Sequence, residues 1–142
     1  MTDLTNIIGA EKQIPYALYG FGEPETYKVD VIEDGITAVD TYALVTIPKG
    51  RAFVGGKVVV CEDATSAGNA TLKFTVGSYD VTSAIALANL KLGTVIDLNA
   101  GNAGACKSAS ADTQVKITVG GAAFTGLKFA LVLETVDIST VG

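Results

Sequence analysis

Histidine and tryptophan are absent from this 142-residue sequence, cysteine occurs twice, and Arg51 is the one arginine. Without histidine there is no imidazole to serve as general base, no serine–histidine nucleophile pair, and none of the commonest transition-metal ligand. Cys61 and Cys106 by themselves cannot close a zinc site, which takes four ligands of this kind. A basic stripe is missing too: the ten basic residues are scattered, and fifteen acidic residues bring the net charge to −5. Phosphate neutralisation by counterion release has no footprint here, so nucleic acid is not an expected partner. No run of about 18 apolar residues could cross a bilayer, and the start Met1-Thr2-Asp3-Leu4 lacks the basic and apolar regions of a secretory signal. The expectation is cytoplasmic synthesis with no membrane partner.

The two cysteines permit one pairing, which would contribute about 4 kcal/mol if it formed. A cytosolic origin favours free thiols instead. Cys61 closes the run Val58-Val59-Val60 and is expected to be a small buried hydrophobe.

What the sequence does have is apolar content: 49% hydrophobic against 18% charged residues, with a mean hydropathy of +0.41. That composition describes a chain with a packed interior rather than a disordered one, and its length fits a single domain.

Period-two alternation recurs along it, which sends one set of side chains to a core and the other to solvent. Tyr27, Val29 and Val31 alternate with Lys28 and Asp30; Leu72, Phe74 and Val76 with lysine and threonine; Val115, Ile117 and Val119 likewise. Leu127, Phe129, Leu131 and Leu133 extend the pattern, and the intervening Ala130 and Val132 predict a central strand with its second face partly covered. Further strands are expected at 41–47, 52–61 and 94–98. Turns fall at Asp34-Gly35, Pro48-Lys49-Gly50, Ser66-Ala67-Gly68-Asn69 and Gly120-Gly121. Seven to eight short strands with glycine-rich turns predict an all-β fold, a β-sandwich or jelly roll, whose two sheets cover each other's apolar faces. Ser83 to Leu90 invites one short helical turn, capped by Thr82 or Asp80.

Residues 1–24 lack clean alternation and are read as an extended N-terminal arm, with the sandwich domain at 25–142. Pro15, Gly20, Gly22 and Pro24 interrupt regular pairing, yet Ile14, Tyr16, Leu18, Tyr19 and Phe21 carry large apolar area that needs a cover. These five are the candidate partner-binding residues. Residues 99–112, small and polar, are expected to form a long surface loop.

Other motifs have a structural explanation. Gly50, Gly55 and Lys57 miss the phosphate-loop spacing, and Val58 stands where a Mg²⁺-binding hydroxyl belongs. Asp30, Asp34 and Gly35 partly match a calcium loop, but Ile32 occupies a ligand position, and a hairpin turn accounts for them. Glu33-Asp34 and Glu62-Asp63 are each expected to close a strand at a turn, where solvated charge outweighs a bridging cation. Asn69-Ala70-Thr71 spells a glycosylation sequon, expected to stay unmodified without secretion. No enzyme activity, cofactor or metal is expected.

The stretch from Asp40 through Ile47-Pro48-Lys49-Gly50 to Val54 resembles small virion proteins of tailed bacteriophages: an aspartate, an alternating strand, then Ile-Pro-x-Gly before the next strand. Leu72 to Gly77 followed by Asp80 to Leu87, and Val115 to Ala122 with Gly126 to Glu134, are similar to later parts of the same proteins, so the likeness spans about residues 38 to 136. The resemblance implies a β-sandwich that decorates the outer capsid surface, often as a trimer, with the major capsid protein or other virion proteins as partners and no catalytic residues. A head fibre or receptor-binding component is the nearest alternative. A carbohydrate-binding module, which would stack exposed aromatics on sugar rings, is the alternative of a different class.

Overall fold

The computed structural model describes residues 2–4, 23–98 and 112–137. In chain order the strands are β1 (Thr2–Asp3), β2 (Glu23–Asp30), β3 (Thr41–Ile47), β4 (Arg51–Ser66), β5 (Thr71–Val76), β6 (Tyr79–Asp80), β7 (Ile85–Ala86), β8 (Val95–Leu98), β9 (Thr113–Gly120) and β10 (Phe124–Asp137). They form two sheets. One runs β1-β3-β9-β5, with β6 and β7 both along the far side of β5; the other runs β2-β10-β4-β8. Every pairing is antiparallel except β1 with β3.

The alternating segments make these strands because each has one apolar row to hide. Tyr27, Val29 and Val31, Leu72, Phe74 and Val76, Val115, Ile117 and Val119, and Leu127, Phe129, Leu131 and Leu133 are all buried between the sheets. Strand β10 is central, as its half-covered Ala130 and Val132 foretold, lying between β2 and β4. The expected all-β sandwich is the observed fold.

The connections carry the chain from one sheet to the other. Pro48-Lys49-Gly50 leads from β3 to β4, with Arg51 N–H donating to the Pro48 carbonyl at 3.2 Å and Gly50 at φ 92°, a conformation that side chains disfavour. The turn at 31–35 also joins two sheets, β2 to β3, and so is not the expected hairpin. Its backbone is pinned by the Asp30 carboxylate, which accepts Ile32 and Glu33 N–H, and by Asp34, which accepts Asp30 N–H. Tyr42 then ties down the following residues, its hydroxyl donating to the Ala38 carbonyl at 2.8 Å and accepting Ala38 N–H.

Three further expectations are corrected. Instead of a capped helical turn over 83–90, residues 79–86 form two short strand pieces on β5, and the helical part is a 3-10 turn of three residues, Leu87–Asn89, without a side-chain cap. The open side of β5 claims that backbone, and Thr82 Oγ1 accepts Phe74 N–H rather than capping. Glu62-Asp63 does not end a strand: β4 continues to Ser66, kept in register with β10 by bulges. Finally, Cys61 is exposed with a free thiol. Val58 and Val60 take the inward positions, and the ladder steps from Val60–Phe129 to Glu62–Lys128, so Cys61 is the extra residue of a bulge and faces outward.

The expected arm, 1–24, meets the sandwich at both ends. Thr2 and Asp3 pair with Tyr42 and Ala43, Leu4 is buried in the core, and Glu23 and Pro24 already pair with Thr135 and Glu134. Ile14, Tyr16, Leu18, Tyr19 and Phe21 lie outside the described residues, as do Cys106 and all of the expected loop except Asp112.

Candidate interaction surfaces

The outer face of the β2-β10-β4-β8 sheet is organised by cross-strand charge. Lys128 on β10 is flanked in register by Asp30 on β2 and Glu62 on β4, with its ammonium 3.7 Å and 3.4 Å from their carboxylates. Hydrogen bonding to Glu62 and the charge of the surrounding carboxylates raise the Lys128 pKa. Of the acidic residues weighed for a bridging cation, Glu62 is engaged by this lysine. Asp63, the other member of Glu62's pair, accepts Leu92 N–H at 2.7 Å. Across the sheet, Lys57 on β4 pairs with Asp97 on β8 at 2.6 Å.

Beside the Lys128 row lies a depression of about 550 Å³, lined by Lys28, Asp30, Asp34, Cys61, Lys128 and Phe129 among others. Asp34 is buried, and that desolvation raises its pKa. Among the described residues no group of three or more potential ligands is placed to hold a metal ion. The Gly50, Gly55 and Lys57 motif falls on the turn and strand of β4, as its structural reading expected.

The opposite outer face, on β3, β9 and β5, carries outward threonines and lysines and no acidic residue on those three strands. Thr41 and Thr118 meet hydroxyl to hydroxyl at 3.1 Å. Large apolar groups reach solvent elsewhere, and Leu92 and Val95, 68% and 54% exposed, lie together where the chain enters β8. Sequence reasoning missed this edge. The signal was present in residues 84–98, an apolar stretch whose charged residues are Lys91 and Asp97, and of whose apolar side chains only Leu90 and Leu98 are buried.

Fold and surface together define a two-sheet β-sandwich. No protein family matches the sequence, and no curated protein matches it. Among solved structures, the chain is similar to one from the capsid of Ralstonia phage GP4, with a TM-score of 0.53 over 88% of this chain and 91% of that chain at 19% identity. At that identity the likeness is one of fold.

Proposed function

We propose that the chain is a structural virion protein of a tailed phage, a capsid decoration protein that binds the outer surface of the head and stabilises it. The observation that carries this reading is the fold likeness to a phage capsid chain over 88% of the length. The sequence resemblance of residues 38 to 136 to small virion proteins supports it independently. The strand order β2-β10-β4-β8 over β3-β9-β5 with β6 and β7, successive long strands alternating between sheets, supports reading the sandwich as a jelly roll. In this reading the partners are the major capsid protein and further copies of the chain, in a trimer, and the chemistry is adhesion rather than turnover. Attachment runs through the arm, where Ile14, Tyr16, Leu18, Tyr19 and Phe21 could each contribute about 1.5–3 kcal/mol on burial, less the cost of ordering.

The test is cosedimentation of the purified protein with phage heads that lack it. Saturable binding in proportion to capsid lattice sites, with heads that then resist heat or low salt better, is the expected result. Absence of binding, or a specific glycan-array signal in its place, would overturn the proposal in favour of a carbohydrate-binding module.

A further inference from the structure

The outer face of the β2-β10-β4-β8 sheet is ordered in rows that cross its strands. Register sets Lys28, Ala130, Val59 and Val95 side by side, one from each strand, and their chain neighbours Val29, Phe129, Val58 and Val60 point into the core. Three members of this outward row are apolar. On one side of it runs the charged row Asp30, Lys128 and Glu62, and on the other the pair Lys57 and Asp97. An apolar strip between charged margins is the anatomy of a protein interface. The strip is also uneven. At its β2 end lies the depression of about 550 Å³, lined by Ala130, Lys28, Cys61, Glu33 and Asp34 among others. At its β8 end Val95 is 54% exposed, and Leu92, on the turn before β8, is 68% exposed. That turn is held in place, with Leu92 N–H on the Asp63 carboxylate and Gly93 N–H on the Val60 carbonyl at 2.8 Å. Charge divides in the same way: Lys91 is exposed beside Leu92 and Glu33 is exposed at the depression, and neither makes an ion pair among the described residues.

We infer that two copies of the chain pack face to face through this strip, about a two-fold axis that runs along the strands between β10 and β4. Ridge and depression lie on one face and point the same way, so they cannot join copies head to tail. A copy turned over by a two-fold rotation presents its ridge to the depression and its depression to the ridge, which makes the contact isologous. The same rotation lays Lys128 of one copy over Glu62 of the other and brings Lys91 to Glu33, each contact occurring twice. Sheets packed in this manner lie about 10 Å apart, and the small Ala130 leaves room in that gap for Leu92 and Val95. The proposed arm contacts do not use this face, so trimers formed through the arm would be joined in pairs. The inference does not rest on attachment to a capsid.

The experiment uses the full chain without capsids. Lys91→Glu sets like charges at both Lys91–Glu33 contacts, and so does Glu33→Lys; mixed in equal amounts, the two variants set opposite charges at both. Both sites are exposed, so melting profiles should stay those of the parent. Sedimentation velocity at low salt should show the parent doubling reversibly in mass. Each variant alone should pair about tenfold more weakly and the mixture should regain the parent's strength, as two rim contacts changed together allow. Leu92→Asp with Val95→Asp, both at exposed sites, should abolish pairing. In a Cys106→Ser background a short bis-maleimide should join two chains through Cys61, giving a band at twice the 14.5 kDa chain mass, because Cys61 on β4 lies close to the axis. Labelling of that thiol, rapid in dilute solution, should slow as concentration rises. A parent that does not associate at high concentration, a mixture as weak as its components, or a Cys61 cross-link that survives the double substitution would each overturn the inference. So would loss of binding to heads by Lys91→Glu with self-association unchanged, which would give the face to the capsid. The first three could occur while heads still bind the protein, which separates this inference from the proposed function.

Discussion

Phe74 on β5 meets Phe129 on β10 edge to face, ring centroids 5.7 Å apart and planes at 84°. The two strands belong to different sheets, so this contact lies at the junction of the two apolar rows, and both rings are fully or almost fully buried. Edge-to-face pairs contribute about 0.5–1.5 kcal/mol beyond the area they bury. Phe74→Ala and Phe129→Ala should each cost about 3–5 kcal/mol, mostly from lost burial and the cavity left behind. Denaturant melts of both single variants and the double variant give the pair's own share; a coupling near zero would mean the rings only fill space.

The rows that supply these rings could be read from the sequence because a strand facing a core on one side must alternate. Tyr27 to Val31, Leu72 to Val76, Val115 to Val119 and Leu127 to Leu133 all did so. Period-two reading failed where a bulge resets the phase: nothing in Val58-Val59-Val60-Cys61 announces that the ladder steps past Cys61. It also overreached at 83–90, where one capped helical turn was expected: the free side of β5 took Ile85 and Ala86, leaving a 3-10 turn at Leu87–Asn89. The exposed Leu92 and Val95 went unnoticed because alternation identifies what a strand buries, not what it leaves uncovered. The arm's five candidate residues were chosen on composition alone and lie outside the described residues.

The bulge makes a chemical prediction. With its thiol at the surface, Cys61 should react with an aromatic disulfide reagent in the native protein at a rate close to that of a free thiol peptide. Cys61→Ser should shift stability by less than about 0.5 kcal/mol, the usual range for a surface site. Protection of Cys61 until the chain unfolds would contradict the bulge.

Asp34 gives a dependence on pH. Burial raises its folded-state pKa, with the neighbouring Asp30 charge adding to the effect and the Asp30 N–H opposing it. The native state therefore holds this proton more tightly than the unfolded chain, so Asp34's contribution is fully present below the unfolded pKa. It is lost as pH rises through the folded value. Asp34→Asn keeps an oxygen to accept Asp30 N–H and removes the titration, so its melting temperature relative to the parent should rise as pH climbs through the carboxylate range and then level off. Asp34→Ala leaves Asp30 N–H without its acceptor and should cost about 1–3 kcal/mol. Parallel melting curves for the parent and Asp34→Asn across that range would show that Asp34 titrates as an ordinary exposed carboxylate.

Truncation and side-chain replacement together test the proposed adhesive role of the arm. A variant beginning at Glu25 loses more than adhesive side chains: it strips Leu4 from the core, uncovers the β3 edge that β1 occupies, and removes the Glu23–Thr135 and Pro24–Glu134 pairs. Loss of a buried leucine costs about 2–5 kcal/mol, so this variant should melt well below the parent, and Leu4→Ala alone should reproduce much of the loss. Replacing Ile14, Tyr16, Leu18, Tyr19 and Phe21 by serine leaves both anchored ends in place. That variant should match an isolated parent chain in far-ultraviolet circular dichroism and in melting at low concentration, and fail only where a partner is needed, in oligomer formation or binding to heads. If the serine variant melts as low as the truncated one, the five side chains belong to the folded core of their own chain and the adhesive reading of the arm falls. If the truncated chain melts like the parent, β1 and Leu4 contribute nothing, and the N-terminus is dispensable for the sandwich.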